Sequence, residues 1–175
     1  LYRQKNMSGT RIINYQPEHQ KYFERFNRVW IEKYFEMEAL DEFVLTDPHA
    51  AIIVPGGAIL MAEYEGEMAG TVALRKINED IFEFTKMAVD ERFRRRGIAE
   101  ALSYASFIKA EELGAKTVIL YSNSVLAGAV QLYEKLGFKH LPADNKEYKR
   151  SDVKMIIGIE DAIMSADKFY SVEKL

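Results

Sequence analysis

The stretch Phe82–Ala99 constrains this chain more than any other. It reads as a strand (Phe82 to Val89), a sharp turn (Asp90-Glu91-Arg92-Phe93) and the start of a helix at Arg94-Arg95-Arg96-Gly97-Ile98-Ala99. From Ile98 the apolar positions run Ile98, Ala101, Leu102, Ala105 and Ile108, which is helical spacing. Gly97 therefore falls in the first turn of a helix, behind Arg92, Arg94, Arg95 and Arg96. The first amides of a helix have no intrahelical partner, and the helix dipole adds partial positive charge there. A glycine at that point lets a ligand approach the backbone closely. These features together describe a phosphate or pyrophosphate site. A solvated basic turn explains the same residues without a ligand.

Net charge decides how that turn is weighed. The chain carries −3 at pH 7 with a pI of about 5.7, so a general nucleic-acid footprint is absent and the arginines stand against the overall sign. There is no cysteine, which removes disulfides, thiolate metal sites and a cysteine nucleophile, and fits a reducing compartment. With 175 residues, 48% of them apolar and 29% charged, the chain is expected to form one soluble domain with a real core. The most apolar segment, Ala50 to Ala62, is short and broken by Pro55-Gly56-Gly57, so no membrane span is expected, and the N-terminal residues show no signal-peptide pattern.

Taken in order, Leu1 to Gly9 is a polar extension and Thr10 to Tyr15 an edge strand. Pro17 and Glu18 suit the first turn of a helix running to Glu36. Its stripe of Tyr22, Phe26, Val29, Trp30 and Tyr34 is read as core packing rather than a ligand box. Leu40 to Leu45 forms a second short helix ended by Asp47-Pro48. Ala58 to Tyr64 and Met68 to Arg75 form a hairpin across Glu65-Gly66-Glu67, followed by the strand Ile81 to Val89. The helix from Gly97 stops at Leu113-Gly114, and Lys116 to Tyr121 is a buried strand, which makes a parallel crossover and a mixed sheet. Ser122-Asn123-Ser124 can cap a helix that carries Ala129, Leu132, Tyr133 and Leu136 and stops at Gly137. Phe138 to Leu141 and Val153 to Ile159 are strands, with a charged loop, Pro142 to Ser151, between them. Glu160 to Leu175 shows weak periodicity and is left as a tail of uncertain structure.

The three histidines, His19, His49 and His140, lie far apart without ligand spacing, so no metal is expected. Neither a G-x-S-x-G elbow nor a P-loop is present. Arg94-Arg95-Arg96-Gly97-Ile98-Ala99 resembles the [QR]-x-x-G-x-[GA] signature of the GNAT superfamily of acetyl-CoA-dependent N-acyltransferases. Met87-Ala88-Val89 before it, and Leu132-Tyr133-Glu134-Lys135-Leu136-Gly137-Phe138 after it, look like that family's flanking hallmarks. The resemblance covers Thr10 to Ile159. It implies an α/β (α+β) fold: a single GNAT-like domain with a mixed, mostly antiparallel central sheet of about six to seven strands and about four helices. The division is then 1–9 extension, 10–159 domain, 160–175 tail.

The resemblance also implies roles. The backbone of Met87, Ala88 and Val89 would pair with the pantetheine arm of acetyl-CoA. The amides of Arg94, Arg95, Arg96, Gly97, Ile98 and Ala99 would wrap its pyrophosphate. Asn123 would contact the pantetheine or the turn holding it, and Tyr133 would sit near the sulfur. Many members carry an asparagine seven residues before the tyrosine; Leu126 occupies that place here, and Asn123-Ser124 resembles another subtype in which the amide contact has moved.

Amine attack on a thioester needs a neutral amine and a protonated leaving thiolate. Period-two alternation puts Glu83 on the strand face of Met87, which makes it the candidate base; its alternative is a strand carboxylate paired with Lys or Arg. Tyr133, protonated at pH 7, is the candidate acid; its alternative is a core tyrosine. Glu36, Glu38, Asp41 and Glu42 cluster where the resemblance places the acceptor mouth. They suggest a cationic acceptor, a small-molecule amine or basic peptide end, although a solvated acidic helix face explains the same residues without any ligand and is the better reading of the cluster by itself. The expected protein is a cytoplasmic acyltransferase that uses acetyl-CoA, with no metal, no membrane and no nucleic acid, and that could pair as a homodimer. The alternatives are a non-catalytic acyl-CoA-binding regulator on the same fold, or a module acting on RNA or protein through the arginines.

Overall fold

The computed structural model describes residues 9–144 and 147–171. The proposed extension, apart from Gly9, lies outside them. Seven strands form one sheet: β1 (Thr10–Asn14), β2 (Ala58–Tyr64), β3 (Glu67–Lys76), β4 (Ile81–Val89), β5 (Thr117–Ser122), β6 (Lys139–Leu141) and β7 (Val153–Gly158). Their order is β1-β2-β3-β4-β5-β7-β6, and β4–β5 is the parallel pair within an otherwise antiparallel sheet. The sequence reading of a mixed, mostly antiparallel sheet holds.

Among the described residues five α-helices cover the sheet: α1 (Gln20–Tyr34), α2 (Ala39–Thr46), α3 (Ile98–Glu112), α4 (Ala127–Leu136) and α5 (Ile159–Ser171). Strand alternation sorts the core into two layers. Ile59 and Met61 of β2 pack with Phe23, Ile31, Val44 and Leu45 of α1 and α2. Leu60 and Ala62 point the other way, into a layer with Phe82, Phe84, Leu102, Phe107 and Leu136. Both faces of the central strands are therefore buried, which is why β2 and the middle of β3 read as nearly continuous apolar runs.

Helix α1 starts after a single turn of 3-10 helix (Pro17–His19), where the Gln16 amide donates to His19 Nδ1 at 2.9 Å. It ends at Tyr34, short of Glu36. The start of α2 is a capping box: the Glu38 amide donates to Asp41 Oδ2 at 3.0 Å.

The segment read as a tail is helical in its described part. Ala162 and Ala166 of α5 are fully buried, and Phe169 stacks on Tyr104 of α3 with ring centroids 4.3 Å apart. Ile159, Ala162, Ala166, Phe169 and Tyr170 recur at helical spacing and pack on the core, an amphipathic pattern that the reading as a tail passed over. Residues 172–175 lie outside the described residues.

Candidate active site

A gap inside the sheet makes the site. β4 and β5 pair through Ile81, Phe82 and Glu83 and then part, leaving the β5-facing edge of β4 from Phe84 to Val89 without a strand partner among the described residues. A bulge in β4 accompanies the divergence. Its pairing with β3 shifts between Ala73↔Thr85 and Thr71↔Ala88, and Lys86 adopts φ +54°. The opening is a cavity of about 1190 Å³ bordered by Phe84–Val89, Leu120–Asn123 and the N-terminal ends of α3 and α4. That is somewhat larger than an ordinary small-ligand cleft, which spans roughly 300–1,000 Å³.

The bulge corrects the face assignment of Glu83. Met87 and Val89 pack with Phe82 and Phe84 in the layer under α3, whereas the Lys86 side chain meets Asp41 of α2 on the opposite face. Counting by twos from Glu83 to Met87 crosses the extra residue and inverts the result. Glu83 is 1% exposed and does not border the cavity; Arg75 holds its Oε1 through Nε at 2.9 Å and Nη2 at 2.8 Å. The ion pair foreseen as its alternative is present.

At one end of the cavity lies the arginine turn. Asp90 accepts a hydrogen bond from the Arg92 amide at 2.9 Å, which closes the turn Glu91–Phe93. Arg95 and Gly97 both have left-handed backbone conformations, φ +62° and +74°. Alternation of this kind turns successive amides toward a common concavity suited to an anion. Arg94, Arg95, Gly97, Ile98 and Ala99 border the cavity. Arg96 does not: its guanidinium turns away, bonds Tyr64 Oη at 3.1 Å and stacks over that ring.

Tyr133 of α4 is buried and borders the cavity. Its ring packs edge-on against Phe84 and Phe138, and burial pushes its pKa up to about 12. Asn123 borders the cavity too, but its polar atoms serve the chain. Nδ2 donates to the Arg150 carbonyl at 2.6 Å and Oδ1 accepts from the Val125 amide at 2.9 Å. It ties the end of β5 and the approach to α4 to the loop before β7. Ser124 bonds Asp152 of the same loop, and the residue that precedes α4 is Leu126, with no side-chain cap; the helix cap foreseen at Ser122–Ser124 is absent.

The other end holds residues that sequence reading missed. Phe26, Val29, Trp30 and Tyr34 of α1 border the cavity, and Val29 and Tyr34 are about half exposed. The stripe read as core is partly that, since Phe26 is buried and Tyr22 and Trp30 pack against the layer of Phe23 and Ile31, and it is also cavity wall. Below these aromatics sit Lys86, Tyr148 and Arg150, all on the cavity. Lys86 Nζ lies 3.0 Å from Asp41 Oδ1. Arg150 bonds both Asp41 oxygens, Nη2 to Oδ1 at 2.9 Å, and also Glu38 Oε2 at 3.2 Å. Lys86 and Arg150 each lie 4.9 Å from the centre of the Tyr148 ring. Burial opposes ionisation of Asp41, but the Arg150 hydrogen bonds and the Lys86 charge outweigh it and hold its pKa at about 2. Burial lowers the pKa of Lys86 against the pull of Asp41, and raises that of Tyr148 with the Glu83 charge adding to it. A charged residue in the middle of an apolar strand was the available signal for Lys86; Tyr148 and Arg150 lay in a loop whose path the sequence did not indicate.

The acidic cluster has a different role from the one foreseen. Glu38 and Asp41 are bound by Arg150 and Lys86, Glu42 is paired with Arg28 at 2.8 Å, and none of Glu36, Glu38, Asp41 and Glu42 borders the cavity. Among the described residues no group of three or more His, Asp or Glu side chains is arranged to hold a metal ion, and no helix is long and apolar enough to cross a membrane.

A model of the acetyltransferase (GNAT) family matches residues 17–138. Human N-acetylaspartate synthetase is 38% identical over 92 residues, 52% of this chain and 30% of that protein. The uncharacterized N-acetyltransferase YjgM of Escherichia coli is 36% identical over 90 residues, 50% of this chain and 54% of that protein. The chain therefore spans between about a third and about half of the length of these relatives. An acetyltransferase of the GNAT family from Staphylococcus aureus Mu50 superimposes with a TM-score of 0.76 at 17% identity, covering 86% of this chain and 99% of that one. The yncA protein of Salmonella typhimurium, solved with its cofactor acetyl-CoA, gives 0.70 at 16% identity, covering 87% and 95%. At these identities the structural likeness is one of fold.

Proposed function

The chain belongs to the acetyltransferase (GNAT) family, and on that premise we propose that it moves an acetyl group from acetyl-CoA to a primary amine by direct attack in a ternary complex. The observation that carries this reading is the open edge of β4 from Phe84 to Val89, with the left-handed turn at Gly97 at one end and Tyr133 facing it. An extended pantetheine can complete that edge as a strand would, through Met87 and Val89. The amides from Arg94 to Ala99 then meet the pyrophosphate. Asn123 acts indirectly, by fixing the loop that carries Arg150.

In the transfer, the acceptor nitrogen forms a bond to the thioester carbonyl carbon and the carbon–sulfur bond breaks. The departing thiolate takes the phenolic proton of Tyr133. The proton lost by the amine goes to Glu83 through an intervening water, since that carboxylate stands behind the cavity wall. The relatives named N-acetylaspartate synthetase carry an acetylated amino acid in their name; that supports a small-molecule amine over a basic peptide end as acceptor.

The test is release of free CoA from acetyl-CoA across an amine panel, alongside calorimetric titration of acetyl-CoA. Saturable CoA release with one amine is the expected result. Acetyl-CoA binding with no release from any amine would replace this reading by the second one, a non-catalytic acyl-CoA-binding regulator.

A further inference from the structure

From the juxtaposition of Arg150, Lys86 and the Tyr148 hydroxyl at the inner end of the cavity, we infer that this end is a carboxylate subsite and that the acceptor is a small amine bearing a carboxylate, an amino acid in class. This rests on the acyl-transfer reading and narrows its acceptor.

The arrangement is two-layered. The three residues border the cavity, whereas the carboxylates that hold Arg150 and Lys86 in place, Asp41 and Glu38, do not. Arg150 is the most exposed of the three, its side chain 13% accessible, and Lys86 and Tyr148 stand almost wholly buried beside it. Donor capacity remains on each. Arg150 has five N–H donors, and its contacts with Glu38 and Asp41 engage Nη1 and Nη2 and leave Nε uncommitted. Lys86 has three N–H donors and one described partner, Asp41. The Tyr148 hydroxyl is the decisive case. The residue is 3% exposed, yet its Oη has no hydrogen-bond partner among the described residues; the Thr85 side chain approaches it without completing a bond. A buried hydroxyl left unpaired is costly, so its presence on a cavity wall points to a ligand atom that completes it.

A carboxylate fits all three. It accepts through two oxygens, matches the planar guanidinium, and leaves lone pairs for an ammonium and a phenol. Trp30 and Phe35 flank Arg150, with ring centres 5.9 and 5.7 Å from its guanidinium carbon. These apolar walls keep the local dielectric low and strengthen the attraction. A cationic acceptor would instead meet N–H donors on Arg150 and Lys86, which offer it no acceptor. Glu38, which also accepts from the Lys149 amide at 3.0 Å, holds the loop so that Tyr148 and Arg150 face inward.

Trp30 is the chain's single tryptophan and borders this end, so its fluorescence reports occupancy. The CoA-saturated protein is titrated with each L-amino acid other than tryptophan and with its primary amide, and the same pairs are run in the CoA-release assay. At least one free amino acid should bind about twentyfold or more tighter than its amide and show a comparable advantage in kcat/KM. Arg150→Gln should erase the difference between acid and amide. Tyr148→Phe, which keeps the ring under Lys86 and Arg150, should weaken binding of the acid about tenfold while CoA affinity stays at the parent value. Amides bound and used as well as acids, or a carboxylate-free diamine such as cadaverine preferred over every amino acid, would overturn the subsite. Acid-selective binding without any CoA release would leave the subsite standing and remove the transfer reading instead.

Discussion

Asp41 in α2 lies 3.0 Å from Lys86 Nζ in the bulge of β4, and both side chains are almost wholly buried. One ion pair thus joins the helical layer of α1 and α2 to the irregular strand that opens the cavity, with Arg150 closing the triad from the loop before β7. Removing one partner of such a group leaves the others buried without compensation.

The first prediction follows from that triad. The folded-state pKa of Asp41, about 2, lies below its ordinary 3.8, so folding favours the ionised form. The associated stability is present above about pH 4 and drains away as pH falls through about 2; the difference corresponds to about 2 kcal/mol. Asp41→Asn should cost about 3 kcal/mol at pH 7 and lose that acid-side slope. Urea midpoints at pH 7 and pH 2.5 measure both. An Asn variant that keeps the parent's slope would show that other carboxylates govern acid unfolding.

The second prediction separates backbone strain from ligand contact. Gly97 opens α3 with φ +74°, and Gly114 lies beyond its other end with φ +88° and nothing within 4 Å of an added Cβ. Valine strains the backbone at either position, by roughly 1–2 kcal/mol or more. Only Gly97→Val also places a side chain at the proposed pyrophosphate turn. Its acetyl-CoA affinity should fall at least about tenfold, while Gly114→Val binds like the parent and shares only the loss in Tm. Calorimetry on the two variants decides the point; equal affinities would remove the pyrophosphate from this turn.

The third prediction concerns Glu83. Because Arg75 holds Oε1 and the carboxylate stands off the cavity, its proposed part is to take a proton through water rather than to touch the amine. Glu83→Gln should lower kcat/KM for the acceptor by about 100-fold near neutrality, the usual worth of a general base. The deficit should shrink as pH rises and more of the amine arrives neutral. A deficit independent of pH would assign Glu83 to holding Arg75 alone.

Much of this protein was legible because local chemistry and global fold agree. The turn at Arg92–Gly97, the hairpin of β2 and β3, and Tyr133 on the α4 stripe are signals carried by neighbouring residues. What failed was set by irregularity or by distance. The bulge at Lys86 leaves no mark in a period-two count, yet it reverses which residues share a face with Glu83. Phe26, Val29 and Trp30 have the spacing of a core stripe, and only the parting of β4 from β5 turns them into a cavity wall. Arg150 meets Asp41 across 109 positions, and no window of sequence relates the two. The acidic cluster was visible; the cations that neutralise it were not.

The last prediction tests Tyr133. Its ring sits with centroids 5.6 Å from Phe84 and 6.1 Å from Phe138, so Tyr133→Phe keeps the packing and removes one hydroxyl. Tm and acetyl-CoA affinity should match the parent. If the phenol protonates the departing thiolate, kcat should fall by about 100-fold, with kcat/KM for the acceptor falling in step. Burial raises the phenol's pKa to about 12, so it keeps its proton throughout the working range. The parent should therefore show no alkaline loss of kcat from this group up to pH 10. A thiol with a pKa near 8.5 leaves as thiolate readily at that pH, so the deficit of the Phe variant should be smaller at pH 10 than at pH 7. Steady-state rates at the two pH values, with pre-steady-state traces to establish that chemistry limits turnover, measure this directly. Unchanged kcat under that condition would return Tyr133 to the core and leave protonation of the thiolate to solvent.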